Sequence, residues 1–305
     1  MFTANTSVVI PTKNRSKKII FLLNQIKKIN FNEIIIVDSS DLIHKNKIIS
    51  YIKNKKIRLI STIPSSAHQR NMGLKKVNRK SKYILFFDDD IKIRPNSLLK
   101  MNIGVKKYKK NKDLCSFGFN LISGTSKNII DKFKESKFVE LIGLYSRYSG
   151  KVLESGWHTK ISDLTKDTYV EWIYSGATLF KADKIKKMRF SNLNKGFDYL
   201  EDLYFSYKLT KKKYKHIIIS DAKVNNYNLE ERNNFNFGFI EIINRHKFVE
   251  IYNKKKLLFY LTAIIRMFYL TKNILNFKFS YIYRLWGNFI GLVKCLKTDL
   301  SKNEK

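Results

Sequence analysis

The sequence predicts an α/β fold: a mostly parallel central sheet of Rossmann-like type, with helices on both faces. Three observations carry that expectation. Short apolar runs alternate with helix-spaced patterns over about the first hundred residues. The runs are apolar throughout, as strands covered on both faces are. The polar residues that stand out fall directly after these runs, at the carboxyl ends, where parallel sheets bind their ligands.

The elements follow in order. Ser7–Ile10 is a strand closed by Pro11, and Ser16 is placed to cap a helix whose Ile19, Ile20, Leu23 and Ile26 share one face. Glu33–Val37 is a second strand, followed by a Lys-rich helix over about 44–53 and a third strand at Ile57–Ile60. Ser65 or Ser66 caps a helix running to Val77, and Tyr83–Phe87 is a fourth strand ending at Asp88-Asp89-Asp90. Pro95 and Asn96 open a helix to about Tyr108. Residues 113–170 are less regular, with a helix expected near 132–148. Val170–Phe180 reads as a strand interrupted at Gly176, Glu201-Asp202 opens another helix, and Lys215–Ser220 is a last strand.

Composition bounds the function. With 305 residues, 44% of them hydrophobic, the chain can bury a sizeable core and does not have the profile of a disordered protein. The net charge of +35 suggests an anionic partner: nucleic acid, nucleotide phosphates or an acidic membrane surface. The excess is nearly all Lys and comes with abundant Asn and Ile, so general compositional bias accounts for part of it. Cys115 and Cys295 form neither a disulfide framework nor a zinc ligand set, which suits a reducing, cytoplasmic setting. No secretory leader is expected at Met1–Ser7. The longest apolar stretches, Leu257–Thr271 and Tyr281–Leu296, are broken by Arg266 and Arg284 and fall short of about 18 uninterrupted apolar residues.

Two acidic groups invite a chemical reading. Three adjacent aspartates are unfavourable without a cation or basic partners, and hard divalent cations want carboxylate oxygens while sharing them with a diphosphate. The plain alternative is an acidic turn; the position at a buried strand's carboxyl end favours the metal site. Glu201-Asp202 at a helix start is either a response to the helix dipole or the source of a general base. Arg70, in the polar segment from Ala67 to Gly73, is either a surface residue or a phosphate partner.

Taken together these segments resemble family 2 glycosyltransferases. The resemblance rests on Ser7-Val8-Val9-Ile10-Pro11-Thr12-Lys13-Asn14-Arg15, Ile36-Val37-Asp38-Ser39-Ser40, Arg70-Asn71-Met72-Gly73, Phe86-Phe87-Asp88-Asp89-Asp90, Val170-Glu171-Trp172 with Ser175-Gly176, and Glu201-Asp202-Leu203. It runs from about residue 5 to 228. It implies a GT-A fold and transfer of a sugar from a nucleotide-diphosphate sugar to a hydroxyl of a glycan or lipid-linked acceptor, of hexosyltransferase type and by inversion, in making surface polysaccharide or glycolipid. The nucleotide sugar would lie against Pro11, Thr12, Asn14, Arg15, Asp38, Ser39, Arg70, Asp88 and Asp89. Asp88 and Asp90, the DxD pair, would hold Mn²⁺ or Mg²⁺. Asp202 would be the catalytic base with Glu201 beside it, and Trp172 and Gly176 would shape the sugar and acceptor pocket. The chain departs from the family at two places. The loop Asp38-Ser39-Ser40-Asp41 is short, and Asn226 stands near where many members place a metal-binding His; its carbonyl is a weaker ligand for a hard cation.

The expected organisation is a catalytic domain over 1–232, its nucleotide-sugar half about 1–112 and its acceptor half about 113–232, then a helical region over 233–305. There, Leu257, Leu258, Leu261, Ile264, Ile265 and Phe268 form one apolar stripe, and Ile282, Leu285, Phe289, Leu292, Val293 and Leu296 a second, both flanked by Lys and Arg. They suit either helices lying on an anionic membrane, at the inner face of the cytoplasmic membrane, or helices packed on the protein or on another copy. Two other classes compete with the enzyme. A basic nucleic-acid-binding protein is disfavoured because the charge is spread along the chain without a recognisable motif, and no nucleic-acid partner is expected. A nucleotidyltransferase would want a glycine-rich loop, and residues 1–72 contain no glycine.

Overall fold

A computed structural model describes residues 1–305 except 53–55, 124–138, 141–144, 192–198, 227–233 and 304–305. The helix expected near 132–148 falls largely outside the described residues. The described residues form two compact units, one of Met1–Thr125 with Lys160–Leu229, the other of Ser126–Thr159 with Glu230–Lys305.

In the first unit a 3-10 turn at Phe2–Asn5 leads into β1 (Thr6–Thr12), α1 (Ser16–Ile26), β2 (Glu33–Asp38), α2 (Leu42–Tyr51), β3 (Ile57–Ser61), α3 (Ser66–Lys76), β4 (Tyr83–Phe87), β5 (Ile91–Ile93), α4 (Ser97–Lys107) and β6 (Leu114–Leu121). It resumes with β7 (Thr168–Val170), β8 (Ala177–Lys181), α5 (Ala182–Ile185), α6 (Glu201–Lys211) and β9 (Lys215–Asn226). The sheet order is β3-β2-β1-β4-β8-β6-β9-β5, with β7 also paired to β9. The first four strands are mutually parallel, β8 is antiparallel to both β4 and β6, and β6 and β9 are parallel.

Strand alternation explains why the apolar runs are continuous. Val8, Ile10, Ile34, Ile36, Leu85 and Phe87 join one core with Ile19, Leu22 and Leu23 of α1, Ile48 of α2 and Met101 of α4. The residues between them, Val9, Ile35, Val37, Ile84 and Phe86, join a second core with Ala67 and Leu74 of α3 and Phe205 and Leu209 of α6. Period-two side chains thus fill both faces. Gly73 lets α3 settle on the sheet: a Cβ there would lie 2.2 Å from Val9 Cγ1.

Two expected elements differ. Arg15, not Ser16, is the N-cap of α1; the Ser16 hydroxyl instead bonds His44 Nδ1 at 2.9 Å and ties α1 to α2. The Val170–Phe180 segment is not one strand: only Ala177–Lys181 pairs with β4, and residues 171–176 are irregular. The physical reason lies in the site, since this stretch delivers Tyr174 to Asp88. The caps that do form are Asp41 on α2, accepting from His44 N at 3.0 Å, and Ser65 on α3, accepting from His68 N at 3.1 Å.

The second unit contains α7 (Phe235–Ile251), α8 (Lys256–Leu275) and α9 (Tyr281–Asn303). Its small core comprises Leu153, Trp157, Ile242, Val249, Phe259, Ala263, Leu292 and Cys295. Glycines set the α7–α9 spacing. A Cβ on Gly287 would fall 2.1 Å from Phe235 O, and one on Gly238 would fall 2.2 Å from Arg284 O. Asp299 of α9 gathers three further contacts, accepting from Lys256 at 2.5 Å and Tyr260 at 2.8 Å and bonding His246 at 3.0 Å. Both cysteines are free and buried.

Candidate active site

The carboxyl ends of β1, β2 and β4 bring their loops together because these strands are neighbours in register. Thr12 pairs with Asp38, and Asp38 with Ser61. The amide of Gln69 on α3 clamps the first two ends, donating at 2.8 Å to both Thr12 O and Val37 O.

Three polar groups sit along this edge. In the first, Asp38 accepts from Ser40 N at 3.0 Å through Oδ1, while its Oδ2 is buried without a hydrogen-bond partner. Asn14, in the left-handed region at φ 53°, accepts from Asp41 N at 2.9 Å, and its own N–H donates to Ser40 Oγ at 2.7 Å. Ser39 N donates to Thr12 O at 3.0 Å. The short Asp38–Asp41 loop is therefore held by the loop after β1.

In the second group, Thr12 Oγ1 donates to Asp89 Oδ2 at 2.7 Å, and Arg15 Nη1 lies 3.3 Å from Asp89 Oδ1 and 3.5 Å from Asp90 Oδ2. Burial pushes Asp89 up to about 6, outweighing Thr12 and Arg15, and raises Asp90 too, with repulsion from Asp88 adding to it. Asp89 points into protein and is a structural carboxylate of the loop; Asp90 is the more open of the two.

The third group is centred on Arg70, only 3% exposed. Its guanidinium donates to Asp88 Oδ1 at 2.7 Å and to Glu201 Oε1 at 2.9 Å, and stands 3.8 Å from Asp202 Oδ1. The Phe190 ring packs against it, 5.6 Å from the ring centroid. Burial opposes its charge, but Asp202, Asp88 and Glu201 hold it charged well above the usual range. Glu201 also accepts from Ser66 Oγ at 2.8 Å. Burial raises both Glu201, to about 7, and Asp202; the neighbouring carboxylates push in the same direction and Arg70 pushes back. The backbone that presents them is bent for it, with Leu200, the residue before Glu201, at φ 76°.

Tyr174 is the residue the sequence reading missed. Its hydroxyl donates to Asp88 Oδ2, so both oxygens of Asp88 are engaged, and burial next to Asp88 raises its own pKa well above the usual range. Gly176 is what permits this: a Cβ there would lie 2.2 Å from the Tyr174 hydroxyl and 2.3 Å from Asp88 Oδ2. Gly176 O also accepts from Asp88 N at 2.8 Å. The only hint in sequence was the proximity of Tyr174 to Gly176. Trp172, by contrast, is half-buried against the core on the α3 and α6 face of the sheet.

A cation at this edge would need oxygens that the protein does not already use. Asn226 supplies one: it is the cross-strand partner of Ile91, the residue after Asp90, and its Oδ1 is buried with no hydrogen-bond partner. Asp90 supplies another. The donor set of carboxylate and amide oxygens fits a hard divalent cation. Asp88 is the less available of the DxD pair because Arg70 and Tyr174 occupy it.

The sequence model of glycosyl transferase family 2 matches residues 7–161, half of the chain. The chain belongs to glycosyl transferase family 2. The match takes in the strand-end loops, Arg70 and the three aspartates. No curated protein matches the sequence. Among solved structures, that of GalNAc-T7 with UDP, GalNAc and Mn2+ is similar, with a TM-score of 0.53 and 16% identity; the match covers 74% of this chain and 44% of that one. This chain therefore spans less than half the length of that structure, and the likeness is one of fold. The fold is GT-A, and the family membership sets aside the nucleic-acid-binding and nucleotidyltransferase alternatives.

Proposed function

We propose that this glycosyltransferase moves a hexosyl group from a nucleotide-diphosphate sugar to a hydroxyl of a glycan or lipid-linked acceptor by a single, inverting displacement. The observation that carries this is the meeting, on one sheet edge, of Asp88, Arg70 and the adjacent pair Glu201 and Asp202 from three separate segments. The nucleoside is read by Asp38, whose buried Oδ2 awaits a donor, within the loop braced by Pro11, Thr12, Asn14 and Ser39. Arg15 and Arg70 lie where the diphosphate would run, and Arg70 is already anchored by carboxylates. Asp90 and Asn226, with Asp88 adjoining, would hold Mn²⁺ or Mg²⁺; the structure of GalNAc-T7 contains Mn2+ together with UDP. The chemistry such a cation supplies is neutralisation of charge on the diphosphate leaving group.

Asp202 is the base. Glu201 is fixed by Ser66 and Arg70; the Asp202 carboxylate is bonded by Ser175, while its Oδ1 makes no hydrogen bond and lies at ion-pair distance from Arg70. Burial raises Asp202 towards the range where a carboxylate takes a proton well. It accepts the acceptor's hydroxyl proton as that oxygen attacks the anomeric carbon and the bond to the diphosphate breaks. Trp172 and Gly176 border the sugar and acceptor side. We place the reaction at the cytoplasmic side of the membrane, in surface polysaccharide or glycolipid assembly; the basic, apolar C-terminal helices support that setting.

A thermal-shift screen of nucleotides and sugar nucleotides, with and without Mn²⁺, tests the reading. It predicts that one nucleoside diphosphate and its sugar raise the melting temperature, more so with the cation. No shift with any of them would overturn it.

A further inference from the structure

The second unit wears its apolar residues outside. Of the large hydrophobic side chains that are exposed among the described residues, fourteen of twenty-four lie from Ile251 onward. The first of the two apolar stripes is turned outward: Leu257 is 79% exposed and Phe268 70%, with Leu261 and Ile264 also exposed. The buried face of α8 is a different one: Phe259, Thr262, Ala263 and Leu270. The turn into α9 continues the pattern. Leu275, Phe277, Phe279, Ile282, Tyr283 and Trp286 are all exposed, Phe277 at 82%. An exposed apolar surface of this extent marks an interaction site.

Charge identifies the occupant. Between Lys255 and Leu300 there are eight basic side chains and one acidic. Lys255, Arg266, Lys272, Lys278, Lys294 and Lys297 are exposed among the apolar residues, and Asp299, the one acid, is taken up inside by Lys256, Tyr260 and His246. A second copy would set the same cations against each other on a chain already carrying +35. A surface that is apolar, aromatic and cationic at once is complementary to an anionic bilayer, with aromatic rings at the headgroup level and Lys outward to the phosphates. α8 is also long and apolar enough to cross a membrane by length and composition. Its other face, however, is committed to the unit's core, where Phe259 stacks on Trp157, and Arg266, at mid-helix and exposed, lies over the same Trp157 ring at 5.6 Å. Those features seat it in the plane of the interface.

We propose that the outward face of α8, the 276–280 turn and the start of α9 form a monotopic seat on an anionic lipid surface, with Phe277, Phe279 and Trp286 as its aromatic anchors. This inference stands on the second unit alone and does not depend on the catalytic assignment.

Flotation of the full chain tests it, with vesicles of phosphatidylcholine alone and of phosphatidylcholine mixed with phosphatidylglycerol. The chain should float with the anionic vesicles, and high salt should weaken binding. The triple variant Phe277→Asn, Phe279→Ser, Trp286→Ser should bind at least about tenfold more weakly, with an unchanged circular dichroism spectrum and melting temperature. Lys272→Gln with Lys278→Gln should lose the preference for anionic lipid. Failure of the wild type to float with either vesicle, or wild-type binding by the triple variant, would overturn the proposal. So would a lipid-free dimer that the triple variant turns into a monomer, because a second copy would then cover the face. Resistance of bound chain to alkaline carbonate would overturn the in-plane seat in favour of a spanning α8.

Discussion

Two helices of this molecule carry the same kind of apolar stripe and use it in opposite ways. In α1 of the first unit, Ile19, Leu22, Leu23 and Ile26 are wholly buried against the sheet. In α8 of the second unit, Leu257, Leu261, Ile264 and Phe268 face outward, while a smaller set that includes Thr262 and Ala263 makes the protein contact. Periodicity says that a helix has two faces. It does not say which face meets protein, because that depends on what else the chain provides to cover it. The first unit provides a sheet and buries charge at the sheet edge; the second provides three helices and leaves apolar surface over.

The contrast can be broken by experiment, and the largest effect should come from the first unit's charged interior. Arg70→Met leaves Asp88, Glu201 and Asp202 facing one another, and uncompensated buried charge costs about 3–5 kcal/mol. Urea unfolding at neutral pH reads that loss directly; a cost under about 1 kcal/mol would mean that these carboxylates do not depend on Arg70. Next come paired truncations. Leu23→Ala should cost about 2–5 kcal/mol, whereas Leu261→Ala should stay within about 0.5 kcal/mol. Equal costs in melts of the two variants would show that the α8 stripe is packed after all, and the contrast would collapse.

A smaller effect follows from pH. Glu201 and Asp89 are held above ordinary carboxylate values in the folded chain, at about 7 and about 6. A raised carboxyl contributes stability while protonated and loses it as pH rises from its unfolded value through its folded one. The melting temperature should therefore fall between about pH 4.5 and 7 as these groups ionise, and Glu201→Gln should flatten part of that slope. A variant with the wild-type slope would show that Glu201 ionises normally.

Much of this was legible in advance. The first four strands, the cap at Ser65 and the three aspartates at a strand end all follow from local pattern and lie where that pattern puts them. Thr12, Asp38 and Asp88 could be named because the neighbouring parallel strands bring their carboxyl ends to one edge; Arg70 and Glu201, which lie on α3 and α6, were named through the resemblance to the family. What stayed hidden depends on contacts distant in sequence. Tyr174 reaches Asp88 across 86 positions, and the cost of that reach is the irregular 171–176 stretch that apolar content alone reads as strand. The antiparallel insertion of β8 between β4 and β6 is likewise set by partners, not by its own residues.

The role of Asp202 as the base is tested most directly by Asp202→Asn, which keeps the shape of the side chain and removes its basicity. With the donor and acceptor pair that the wild type uses, donor affinity should stay within about twofold and kcat should fall by about 10²–10⁴. A variant that turns over within about tenfold of the wild type would contradict Asp202 as the base, and with it the mechanism drawn from this sheet edge.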